Sequence, residues 1–141
     1  MMDKFNTYLN LNHEWIKIAL NPNLNKNLAT LGDSVLKLAL ADLLYGKVKH
    51  LSEHIKFYNT DRTLVEDIGR HYDVIKYIQK EDIEIYDESY SYIKKGKNKS
   101  NPKKYIATAI EALLGAIYLI NNHRMDEVKE VILEFKKIID K

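Results

Sequence analysis

Two acids stand where acids are uncommon. Asp33 lies in LATLGDSVL, and Glu111 lies in YIATAIEALLGAIYLI, a run of sixteen residues in which it is the only charged group. A carboxylate buried without a partner is costly, so each calls for a hydrogen-bond donor, a cation or a metal. Each also has a plainer reading. Gly32-Asp33-Ser34 can open a helix with Asp33 as its N-cap, and Glu111 can pair with a core Tyr, His or Lys. The small residues beside them favour a shared site. Gly32 and Ala29 neighbour Asp33, and Ala107, Ala112 and Gly115 neighbour Glu111. Small side chains let two helices approach closely, which would bring both carboxylates to one point. Paired carboxylates repel unless a proton or a divalent cation joins them. An all-oxygen site of this kind suits magnesium, with manganese an alternative, and magnesium suits phosphodiester hydrolysis.

A second cluster is basic. Residues 94–104, KKGKNKSNPKK, hold Lys94, Lys95, Lys97, Lys99, Lys103 and Lys104 among loop-forming residues. Such a loop can follow a phosphate backbone, because each neutralised phosphate releases counterions; it can also be simply a solvated surface loop. Tyr86, Tyr90, Tyr92 and Tyr105 flank it at a spacing that fits core packing better than base stacking. The histidines offer less. His13, His50, His54, His71 and His123 show no HExxH or other close ligand spacing, and neither a nucleophile elbow nor a phosphate-binding glycine loop occurs. Asp42 and Glu53 read as surface acids, Glu53 also as an outer contact to a metal.

The elements that must position these residues are helical. Only five Gly and two Pro occur, and apolar residues recur at turn spacing almost throughout, so the 141 residues predict an all-α single domain, 1–141, with one core. Helices are expected over 13–20, 27–45 with Gly46 as a stop, 52–57, 61–79 capped by Thr60, Pro102 to near Asn121-Asn122, and 125–139. Residues 81–88, EDIEIYDE, carry five acids before the lysine loop. Hydrophobic residues make up 45% and charged residues 30%, which argues against wholesale disorder. A net charge of +2 means that nucleic-acid affinity must come from local clustering. The longest apolar run, 112–120, cannot span a bilayer, the N-terminus lacks a signal-peptide core, and the absence of cysteine excludes disulfides. A soluble, cytoplasmic domain without a membrane partner is the expectation.

Taken together, LATLGDSVLKLALADLLY, KKGKNKSNPKK and ATAIEALLGAIYL resemble the catalytic domain of ribonuclease III, in motif order and in separation. The resemblance covers about 11–120, and EALLGAIYL is its most specific part. It implies an all-helical homodimer, formed around the first signature helix, that cleaves double-stranded RNA with magnesium. Asp33 and Glu111 would be its catalytic metal ligands. Two positions depart from the usual motifs: Ala29 and Thr108 stand where the family carries an acid one turn before each of those ligands. The Mini-ribonuclease III branch is similar in just these respects. It has a small residue and a Thr at those places, a basic loop similar to Gly96-Lys97-Asn98, and no C-terminal RNA-binding domain. The resemblance therefore implies cleavage of structured RNA, with ribosomal RNA maturation as the substrate class. Thr108 would orient a metal-bound water, while Lys94, Lys95, Lys97, Asn98, Lys99, Lys103 and Lys104 would hold RNA. The rival expectation is a catalytically inactive RNA-binding or structural dimer of the same fold, for which Ala29 and Thr108 are the support.

Overall fold

The structure, a computed structural model, describes residues 3–79, 89–92 and 103–141. The acidic stretch 81–88 and the lysine-loop residues 94–102, including Asn98, lie outside the described residues. Those described are helical, with no strand among them. In chain order they form α1 (Lys4–Leu9), α2 (Glu14–Ala19), α3 (Lys26–Leu44), α4 (Leu51–Asn59), a π-helical segment Thr63–Gly69 running into α5 (Arg70–Tyr72), a 3-10 turn Val74–Tyr77, α6 (Lys104–Ile120) and α7 (Asp126–Ile139).

Helix α6 is the axis of the molecule. Ile106, Ile110, Leu113, Leu114 and Ile117 are fully enclosed, because α6 is apolar on nearly every face and is packed by α2, α3, α7 and the π-helical segment. Each such Leu or Ile contributes roughly 1.5–3 kcal/mol relative to an exposed one. The closest packing is against α3, and it depends on two glycines. A Cβ on Gly32 would lie 1.6 Å from the Glu111 carbonyl oxygen, and one on Gly115 would lie 2.6 Å from the Leu28 carbonyl oxygen. Only hydrogen fits at either place.

Helix α3 ends as expected. Gly46 takes a positive φ of 78° just past Tyr45, a conformation that glycine adopts without steric cost. Its start differs from the N-cap reading of Asp33. The helix begins at Lys26, after the buried Asn25, whose Nδ2 donates to the Ala19 carbonyl at 2.9 Å. Asp33 therefore sits in the middle of α3, two turns inside it.

Two further expectations change. The helix over 61–79 begins as read, with Thr60 Oγ1 accepting from the Thr63 N–H at 3.1 Å. It then widens into the π-helical turn and stops at Asp73, which adopts a left-handed φ of 51°. Asp73 accepts a hydrogen bond from Tyr90 Oη at 2.7 Å, and Tyr90 Oη accepts from the Ile75 N–H at 2.9 Å. Residues 74–79 then turn away, and the Gln79 N–H reaches the Leu20 carbonyl. The helix α1 is an addition. Asp3 caps it through Oδ1, and the Glu134 carboxylate of α7 accepts from the Lys4 and Phe5 N–H groups at 2.8 and 3.1 Å. Phe5 then packs edge-on against Phe135, with ring centroids 4.8 Å apart.

Candidate active site

The crossing of α3 and α6 brings the two unusual acids together. Asp33 and Glu111 line one cleft of about 480 Å³ with Pro22, Asn25, Lys26, Ala29, Thr30, Lys104, Tyr105 and Thr108. The N-terminal halves of α3 and α6 supply its walls. The small residues read beside each acid are the reason it can exist: Gly32 and Gly115 allow backbone contact, and Ala29 leaves open the space one turn before Asp33.

Glu111 is mostly buried, and its carboxyl is pushed up to about 8. Burial is the largest cause, followed by a hydrogen bond with Asp33, the charge of Asp33 and that of Asp61; Lys104 opposes them. Glu111 thus keeps its proton at neutral pH in the metal-free cleft. Asp33 has a second partner. Lys37, one turn on, places Nζ 2.9 Å from Asp33 Oδ2, and Asp33 and then the Glu111 charge raise the Lys37 ammonium above its usual range. Thr108 stands one turn before Glu111 on the cleft wall. Its hydroxyl makes no hydrogen bond to protein among the described residues, which leaves it free to hold water.

The donors present fit a divalent cation. They are carboxylate oxygens of two helices with a hydroxyl beside them, the hard oxygen set that magnesium and manganese take. A doubly charged ion held by these carboxylates would take the place of the Glu111 proton and offset both the burial and the Asp33 charge that raise it. Among the described residues, no cluster of three or more His, Cys, Asp or Glu ligands forms, and Asp33 and Glu111 are the carboxylates that line the cleft.

Other expected site residues fall differently. Lys104 is exposed on the cleft wall. Lys103 is not placed for RNA: only 4% of it is exposed, and Nζ donates to the Ser89 carbonyl and Oγ at 2.8 and 2.7 Å. Its ammonium ties residue 89 to the start of α6, because a buried charge must be satisfied where it lies. Lys94, Lys95, Lys97, Asn98 and Lys99 lie outside the described residues. Glu53 is exposed on α4 beside His54 and Phe57, away from the cleft. Asp42 is exposed and paired with Lys129. Of the tyrosines, Tyr90 and Tyr92 pack against the core, whereas Tyr105 also lines the cleft.

Sequence reasoning missed Lys26, Lys37 and Asp61 near the acids. Spacing held a signal for the first two, since Lys26 precedes Asp33 by two turns and Lys37 follows it by one. Nothing local marks Asp61, which belongs to another part of the chain.

Comparison with known proteins matches the Ribonuclease III domain over residues 26–122, from the first residue of α3 to just past α6. A protein named Ribonuclease 3 from Natranaerobius thermophilus is 30% identical over 118 residues, which are 80% of this chain and 46% of that protein. The chain spans about half the length of the curated relative it matches. No solved structure gives a significant match.

Proposed function

Because the chain belongs to the ribonuclease III family, we propose that it is a magnesium-dependent endoribonuclease that hydrolyses phosphodiester bonds in double-stranded or structured RNA. The observation that carries this reading is the meeting of Asp33 and Glu111, from two helices, in a cleft that also presents lysine and hydroxyl groups. Asp33 and Glu111 hold the cation, and manganese suits the same oxygens. A divalent ion so held supplies a Lewis acid and lowers the pKa of bound water. Glu111 must release its proton for this, and Lys37 fixes Oδ2 of Asp33. The Thr108 hydroxyl orients a water beside Glu111. Lys104 holds a backbone phosphate, and Lys94, Lys95, Lys97, Asn98 and Lys99 extend the grip along the duplex. Recognition depends on A-form shape more than sequence, since side chains cannot read the deep groove of duplex RNA. Ribosomal RNA maturation is the substrate class we infer.

The active form in this reading is a homodimer. Leu31 and Leu38 stand seven residues apart on α3, Tyr45 follows seven further on at its C-cap, and Leu38 and Tyr45 are 58% and 79% exposed. A second copy of this chain would cover that stripe. Among the described residues, no helix is long and apolar enough to cross a membrane.

The test is incubation with duplex RNA, with magnesium or a chelator, beside the Asp33→Asn and Glu111→Gln variants. Metal-dependent cutting abolished by both substitutions is the expected result. Cutting that survives both removes the site assignment. Duplex binding by the parent without cutting of any structured RNA leaves the inactive dimer.

A further inference from the structure

The cleft carries more charge than the two acids require. Lys26 is the first residue of α3 and Lys104 the first of α6. Both are exposed, both line the cleft that holds Asp33 and Glu111, and neither forms an ion pair among the described residues. Their placement is matched. Lys26 precedes Asp33 by seven residues on α3, and Lys104 precedes Glu111 by seven on α6. Each ammonium therefore starts two turns, about 10 Å along its helix, from its carboxylate. That is too far along the helix for the usual i, i+4 pairing, and near enough to reach what the carboxylates hold.

Lys37 already offsets Asp33, so the charges of Lys26 and Lys104 are left for a polyanion. A divalent ion at the acids makes the cleft strongly positive. The anion drawn there then meets charge in three places: at the acids and at one lysine along each wall. A single phosphate cannot touch all three, whereas successive phosphates of one RNA strand can.

We propose that Lys26, together with Lys104, seats the backbone phosphates flanking the one presented to Asp33 and Glu111. Lys26 is thereby a substrate-positioning residue. The inference rests on the endoribonuclease reading and names the part of the substrate that the cleft holds. Lys26 aligns the strand and does not touch the reacting atoms.

The experiment measures duplex RNA binding across a salt series in the presence of a chelator, then cleavage with magnesium. It compares the parent with Lys26→Gln, Lys104→Gln and Lys137→Gln; Lys137 is an exposed lysine of α7 outside the cleft. Each neutralised phosphate contact removes close to one from the slope of log affinity against log salt. Lys26→Gln and Lys104→Gln are expected to lower the slope by about one each and to raise KM several-fold with a smaller effect on kcat. Lys137→Gln is expected to follow the parent. If the parent cuts RNA but Lys26→Gln matches Lys137→Gln in slope and KM, the role of Lys26 is refuted and the nuclease reading stands. If the parent neither binds nor cuts duplex RNA, the nuclease reading fails and this inference with it.

Discussion

Gly32 and the carbonyl of Glu111 are in such close contact that a Cβ on Gly32 would lie 1.6 Å from the oxygen. The site is therefore fixed by backbone packing as much as by the acids themselves. Neither helix can give way easily, because the residues of α6 on either side of the contact are fully buried. Gly32→Ala should force the helices apart and destabilise the fold by roughly 3 kcal/mol, lowering Tm by about 10 °C. The Glu111 carboxyl should also return toward ordinary carboxylate behaviour as the acids separate. Thermal unfolding checks the first part; a Tm equal to the parent's would mean that the crossing is not as tight as described.

A second expectation concerns pH. Glu111 holds its proton up to about 8 in the folded, metal-free protein, mainly through burial and then through Asp33. The unfolded chain releases the same proton near the ordinary glutamate range, about 4.3. Between these values the folded state binds more protons, so this group's contribution to stability is fully present below about 4.3 and is lost as pH rises toward 8. Chelated protein should therefore lose Tm steadily from pH 5 to 8, and Glu111→Gln should remove that part of the decline. Magnesium should restore stability most at the alkaline end and release protons on binding at neutral pH. Identical pH slopes for parent and variant would show that Glu111 is not the group responsible.

The exposed stripe of α3 gives a third. Leu38 and Tyr45 contribute little to the monomer core because both are largely exposed. Leu38→Glu and Tyr45→Glu should leave helix content intact, while sedimentation moves from dimer to monomer. A parent that sediments as a monomer at high concentration would remove the dimer reading, and a dimer unaffected by both substitutions would move its interface elsewhere.

How much of this was legible beforehand differs by residue. Helix α6 and its misplaced acid could be read because periodicity and hydropathy are local properties. The meeting of Asp33 with Glu111 could be anticipated from the small residues beside each, since a close helix crossing needs them. The N-cap reading of Asp33 failed for an instructive reason. Gly32-Asp33-Ser34 has the composition of a helix start, but Gly32 is there for a contact with a helix nearly eighty residues away. The break at Asp73 and the helix α1 were hidden for the same reason: their partners, Tyr90 and Glu134, are distant in sequence. Lys103 looked like its neighbour Lys104 because adjacent helical positions point about 100° apart, and only tertiary packing decides which one is buried.

Thr108 bears most directly on whether a two-carboxylate site suffices. It lines the cleft one turn before Glu111, with a hydroxyl that has no protein partner among the described residues. Thr108→Val keeps the shape and removes only the oxygen. If the hydroxyl orients water at the site, kcat should fall by about 10–100-fold with Tm and KM nearly unchanged, because neither packing nor phosphate contacts are altered. Thr108→Asp tests the same position from the other side. A third carboxylate there should tighten magnesium binding, and in chelated protein it should lower Tm, since it adds a like charge beside two acids already close together. An unchanged kcat in Thr108→Val would assign the water to another group, and unchanged magnesium affinity in Thr108→Asp would place the cation away from this wall of the cleft.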